Sequence, residues 1–171
     1  MILWLSGPYG VGKSTLAEAL AEKLENALLF DAELVGDAVR SNYPDDPYGY
    51  IYEDYPLWGE CCCRLLTDIH NTFHKDILVP MTLLRSASYK NIILKLRDSG
   101  IETHLVILEA SYDIVHDRIL ARGEEEGCWC MEHIALAREG CSALSGWHLQ
   151  TDGRSVAELA ELVLKQIRES R

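Results

Sequence analysis

Nine residues near the start of the chain, Gly7 to Thr15, read GPYGVGKST and complete the spacing GxxxxGK[ST] at Gly7, Gly12, Lys13 and Ser14. Each residue type answers a need of polyphosphate chemistry. Glycines let the main chain curl with its N–H groups turned inward around an anion, and a helix beginning near Lys13 aims its positive dipole end at the same place. Lys13 can reach β- and γ-phosphates, the Ser14 hydroxyl offers a position to a magnesium ion, and Thr15 adds a hydroxyl near the α-phosphate. With Gly10 in the same loop, the expected ligand is ATP with Mg2+. A glycine-rich turn that binds nothing is the competing account, and the completeness of the motif argues against it.

Acids and arginines elsewhere suit the other half of such a reaction. FDAELVGDAVR places Asp31 and Glu33 at the carboxyl end of an expected strand beside the loop, where ligands bind in open parallel sheets. A carboxylate there can take the proton of a hydroxyl that attacks the γ-phosphate, or hold magnesium through water, and Asp31 is the first candidate for that role. An aspartate at this junction would equally serve as a helix N-cap. Arg40, two turns further on, suits a polar or anionic substrate group, or is a surface arginine. Arg118 and Arg122 lie four apart and share a helix face, one placed to stack on adenine and one to neutralise the transferred phosphoryl. Arg138 is a weaker third candidate that would pair as well with the acids at 124–126.

The third apolar run, DILVPMTLL, carries Pro80 and Thr82 where a magnesium-associated acid is expected, and Asp76 stands at the opposite end. Asp31 or Glu33 must supply that carboxylate, or Thr82 a hydroxyl. Residues 41–56, SNYPDDPYGYIYEDYP, hold three prolines, five tyrosines and four acids. Aromatic rings with carboxylates suit stacking and hydroxyl recognition of a sugar- or base-bearing molecule, with Tyr55 and Trp58 as substrate contacts beside Arg40. Rings folded back onto the core are the alternative.

These groups need a scaffold that alternates strand and helix. Apolar runs near 2–6, 27–31, 76–82, 103–109 and 147–151 are mostly continuous, as strands covered on both faces are. Helical patterns fall near 13–25, 32–42, 57–73, 88–98, 112–122, 130–142 and 155–169. Gly100 ends the fourth, Ser111 can cap the fifth, and Ser155 with Glu158 forms a capping box on the last. The expected fold is α/β, a three-layer, doubly wound, five-stranded parallel sheet of the P-loop kinase type. One domain spans 1–171, with a substrate-side region at 41–64 and a helical lid at 118–138.

Composition narrows the partners. The 171 residues are 48% hydrophobic and 25% charged with a formal net charge of −11, which argues against nucleic acid or an anionic membrane as partner. No signal peptide or transmembrane-length run is present, so a cytoplasmic protein is expected. Six cysteines then read as reduced thiols. Cys61, Cys62 and Cys63 are consecutive on one helix, and the Cys128, Cys130, His133 and Cys141 grouping lacks the paired CxxC spacing of a zinc ribbon.

The motifs resemble the small P-loop kinases that phosphorylate metabolites and antibiotics, including adenylate, shikimate, gluconate and chloramphenicol kinases. DRILAR at 117–122 is similar to the lid segment of adenylate kinases, which implies adenine stacking for Arg118 and phosphate contact for Arg122. DAE at 31–33 resembles the DxD of shikimate kinases, with Glu33 as a departure, and TDG at 151–153 sits where such folds pass a loop by the adenine. A narrower resemblance covers nearly the whole chain: the bacterial tunicamycin-resistance ATP-binding proteins. WLSGPYGVGKST, FDAELVGDAVR, YPLW, ILVPMT and HLQTDGRSVAELAE carry it. That resemblance implies ATP binding and protection against a nucleoside antibiotic that mimics a UDP-sugar, by phosphorylation or by sequestration without modification. Some members carry a further tail proposed to meet the membrane; this sequence ends at Arg171, so membrane association is not expected. A regulatory GTPase is disfavoured, since no NKxD-type guanine-reading segment occurs.

Overall fold

The computed structural model describes residues 1–170. Strands β1 (Ile2–Ser6), β2 (Ala27–Leu29), β3 (Asp76–Pro80), β4 (Thr103–Glu109) and β5 (Trp147–Gln150) form one wholly parallel sheet in the order β2-β3-β1-β4-β5. Because β1 lies at the centre, its side chains alternate into two cores. Ile2 and Trp4 join one cluster with Ile77, Val79 and Ile107, and Leu3 and Leu5 join the other with Leu78, Val106 and Leu108. Both faces of every central strand are covered, which is why these runs lack polar alternation.

The helices are α1 (Lys13–Lys23), α2 (Ala32–Arg40), α3 (Pro56–Phe73), α4 (86–98), α5 (Tyr112–Ala121), α6 (Trp129–Glu132), α7 (Ile134–Ser142) and α8 (Val156–Glu169). Pro56 opens α3 at a position where its missing N–H costs nothing. The middle of α4, Tyr89–Leu94, is π-helical. The wider turn lets two neighbours, Ile92 and Ile93, both be fully buried. Ser155 and Glu158 form the expected capping box. Ser111 differs from expectation: it holds the N-cap position of α5 without a side-chain cap bond, and its N–H donates instead to the Asp152 carboxylate at 2.9 Å. The loop after β5 is thereby tied to the start of α5. Asp76, at the far end of β3, receives the Met1 amino group at 2.8 Å. Among the described residues no helix is long and apolar enough to cross a membrane.

Candidate active site

The loop between β1 and α1 lies at the carboxyl end of the central strand, where the chain switches from building one side of the sheet to the other. Gly7, Gly10 and Gly12 all have positive φ, at 139°, 80° and 104°. Gly7 is the most constrained: a Cβ there would stand 2.5 Å from the Leu108 carbonyl oxygen, so the loop can cross β4 only as glycine. Thr82, buried, donates its hydroxyl to the Gly7 carbonyl at 2.9 Å. Thr82 therefore holds the loop from the end of β3.

Lys13 begins α1 and folds back into the loop, its Nζ donating to the carbonyls of Gly7 and Pro8 at 3.0 Å each. Burial lowers its pKa to about 8. A polyphosphate would replace these carbonyls as partner and favour the charged form. Ser14 and Thr15 are exposed beside it. On this side Gly10 to Leu16 line a cleft of about 390 Å³ together with Arg118, Arg122 and Arg154. Arg118 is fixed there by a 2.9 Å bond from Nη1 to the Val11 carbonyl, while Arg122 follows the last helical residue of α5. Arg138 lies outside this cleft. It donates to the Ala110 carbonyl at 3.1 Å and lines a separate hollow of about 370 Å³, which Pro8 of the loop also borders, with Glu139, Ser142 and Gln150.

A second cleft, about 530 Å³, opens on the opposite side of the loop and is lined by Tyr9, Glu33, Arg40, residues 50–53, Met81, Thr82, Leu84, Trp129 and Cys130. Tyr9, inside the phosphate loop, meets Trp129 edge-on with ring centres 5.0 Å apart, and Trp129 stacks on His133 at 4.1 Å. Arg40 lies between two rings, its guanidinium 5.5 Å from the centre of Tyr50 and 5.4 Å from that of Tyr52. Asp37 secures both, accepting from Arg40 at 3.1 Å and from the Tyr52 hydroxyl at 2.7 Å. The Tyr52 ring can lie this close to α2 because residue 36 is glycine; a Cβ there would meet the ring at 2.3 Å.

The two acids after β2 have different placements. Asp31 is the N-cap of α2, its Oδ1 accepting from the N–H groups of Glu33 and Leu34 at 2.9 and 3.2 Å. Glu33, in the first turn of α2, lines the second cleft. Burial raises the Glu33 pKa, the Asp31 charge adds to the rise, and Lys13 opposes it. Glu33 thus faces the second cleft within electrostatic reach of Lys13.

Tyr55 and Trp58 are placed in the core and do not line the second cleft; they are 1% and 0% exposed. The Trp58 indole N–H donates to the Ala32 carbonyl at 3.0 Å and its ring meets Trp4 edge-on at 6.5 Å. The Tyr55 hydroxyl is bonded to Asp46 and to the Gly49 carbonyl. The two side chains therefore brace the 41–58 segment from beneath.

Two further residues stand in the clefts that sequence reasoning did not single out. Arg154 follows the TDG turn directly, and that turn was its only signal. Glu53 sits in the turn Tyr52–Asp54 and accepts from the main-chain N–H of Leu84 at 2.6 Å and of Arg85 at 3.0 Å. It brings a carboxylate to the loop that leaves β3, whose own end has Pro80 and Thr82. Among the described residues no group of three or more His, Cys, Asp or Glu gathers around a metal position. The Ser14 hydroxyl beside the anion-binding loop fits magnesium, which takes few protein ligands and completes its shell with phosphate oxygens and water.

A central parallel strand, a GxxxxGK[ST] loop at its carboxyl end and clefts on both sides of that loop define an α/β domain of the P-loop, kinase-like class. The AAA domain model AAA_18 matches residues 3–130, and the chain belongs to that family. No curated protein sequence matches it. Among solved structures, the Deinococcus radiodurans tunicamycin resistance protein is similar with a TM-score of 0.78 at 24% identity, covering 97% of this chain and 94% of that one. A sugar kinase from Janibacter sp. HTCC2649 has a TM-score of 0.68 at 15% identity, covering 96% and 92%. The Mycobacterium tuberculosis APS kinase CysC, solved with AMPPNP and APS, also scores 0.68, at 18% identity over 98% and 96%. At these identities the likeness is one of fold.

Proposed function

We propose that the protein is an ATP-dependent phosphotransferase that acts on a hydroxyl of a small molecule. The observation that carries this reading is the pair of clefts sharing one loop: Gly10 to Thr15 line the first, and Tyr9 lines the second. The first cleft binds ATP, with Arg118 and Arg154 at the base end and Lys13 and Arg122 on the phosphates. Magnesium, held at Ser14, would neutralise charge on the phosphates. The second cleft binds the acceptor between Arg40, Tyr50 and Trp129. The segment 118–138 acts as a lid, because Trp129 and Cys130 close one wall.

Glu33 takes the proton of the attacking hydroxyl as its oxygen bonds to the γ-phosphorus and the bond to the β-phosphate oxygen breaks, releasing ADP. A raised pKa makes it a stronger base than a carboxylate at its ordinary value. Asp31 fixes the helix that presents it. Similarity in fold to a tunicamycin resistance protein and to sugar and APS kinases supports a nucleoside antibiotic or related UDP-sugar-like acceptor. The test is mass spectrometry of nucleoside antibiotics and UDP-sugars incubated with protein, ATP and Mg2+. A gain of one phosphate that disappears in Glu33→Gln and survives in Asp31→Asn is expected. Tunicamycin that binds and returns with its mass unchanged would assign sequestration instead.

A further inference from the structure

We infer that Glu53 is a substrate-binding residue that accepts a hydrogen bond from a second hydroxyl of the acceptor, so that the acceptor must carry one hydroxyl to be attacked and another to be held. This rests on the acceptor cleft proposed above. Glu53 and Glu33 line that one cleft, from the Tyr52–Asp54 turn and from α2 respectively. The Leu84 and Arg85 amides each take one oxygen of the Glu53 carboxylate. A carboxylate has about four acceptor positions, so the protein's own groups fix its plane and leave acceptor capacity over.

A purely structural latch does not need this acid in the cleft. The same turn is already tied to the same loop by Asp54, which takes the Arg85 guanidinium through Nε and Nη2 at 3.2 Å each. Arg85 is thereby turned to Asp54, and main-chain dipoles carry much of the neutralisation of Glu53. Burial raises the Glu53 pKa, and the Arg85 and Leu84 amides with the Arg85 charge oppose the rise. A hydroxyl that donates to a half-buried carboxylate of this kind forms a charge-assisted hydrogen bond. The flanking rings of Tyr9, Tyr50 and Trp129 offer a planar group an apolar wall. A ribose joined to a base combines the three features: a hydroxyl to attack, hydroxyls to hold and a ring to stack.

The experiment compares uridine with 2′,3′-dideoxyuridine, which keeps the ring and the 5′-hydroxyl, by titration calorimetry without ATP. Wild type is expected to prefer uridine by roughly tenfold or more, the worth of one charge-assisted hydrogen bond. Glu53→Gln is expected to lose that preference while keeping its affinity for ATP. Asp54→Asn, which loosens the same turn but leaves Glu53 in place, is expected to retain the preference. Equal binding of the two compounds by wild type, failure of wild type to bind uridine, full preference in Glu53→Gln, or equal loss in both variants would overturn the assignment. Because no phosphoryl transfer is measured, a chain that discriminates yet transfers no phosphate loses only the proposed reaction. A chain that transfers phosphate without discriminating loses only the role of Glu53.

Discussion

Replacing Gly36 by alanine should weaken acceptor binding while leaving the nucleotide cleft intact. The new methyl would stand 2.3 Å from Cδ1 and 2.4 Å from Cγ of Tyr52, too close for either to stay. Backbone cannot yield easily, because Gly36 is a buried mid-helix residue of α2, so the ring must leave. Forcing extra volume into a packed contact costs about 1–3 kcal/mol. Alanine returns about 1 kcal/mol of helix propensity relative to glycine. The net loss of about 0–2 kcal/mol corresponds to a fall in Tm of up to about 8 °C for a chain of this length. The larger effect is local. Tyr52 supplies one face of the Arg40 sandwich and a bond to Asp37, which orients the guanidinium. Losing a cation–π contact of about 0.5–1 kcal/mol should raise the acceptor Kd about two- to fivefold. Calorimetric titration of acceptor and of ATP, paired with thermal unfolding, reads both. An acceptor Kd equal to that of wild type, in a protein that remains folded, would refute the claim that Tyr52 positions Arg40. A loss confined to ATP would refute the assignment of the second cleft.

Other expectations follow from single contacts. Lys13 has a pKa lowered to about 8 by burial, so its charge is lost as pH rises through that value, and ATP affinity should decline between pH 7 and 9.5 in calorimetric titrations; Lys13→Met should abolish the trend. The sign for stability is opposite. Between about pH 8 and the ordinary lysine value the unfolded chain holds the extra proton, so this group's contribution to stability should rise with pH in nucleotide-free unfolding curves. Trp58→Ala removes a fully buried ring and its bond to the Ala32 carbonyl, and should cost about 3–5 kcal/mol, read by denaturant unfolding. Ser155→Ala dismantles the capping box of α8 and should cost about 0.5–2 kcal/mol with nucleotide binding unchanged.

What the sequence discloses depends on how local the signal is. The phosphate loop, the five strands and the Ser155 cap are written within short windows, and the structure has them where the pattern puts them. Shortfalls begin where partners are distant in the chain. The Asp31 junction allowed both a cap and a base, and the structure shows the cap, with Glu33 in the cleft. Glu53 is 31 residues from the amide it binds and was one acid among four in its segment, so only folding could distinguish it. Tyr55 lies in, and Trp58 just after, a tyrosine-rich run that resembles a binding loop, yet both turn inward while Tyr50, 67% exposed, turns out. The bond from the Ser111 N–H to Asp152, 41 residues away, was hidden for the same reason.

Trp129 has a practical consequence. Of the chain's four tryptophans, Trp4 and Trp58 are sealed in the core and Trp147 lies in β5. Trp129 alone borders the second cleft, touching Tyr9 of the phosphate loop on one side and stacked on His133 on the other. Its emission is therefore a built-in optical gauge: a molecule entering beside Tyr50, or a phosphate that moves Tyr9, must alter the surroundings of the same indole. Occupancy of the second cleft should register in the emission of unlabelled protein, as a change that Trp129 adds to the signal of the other three tryptophans.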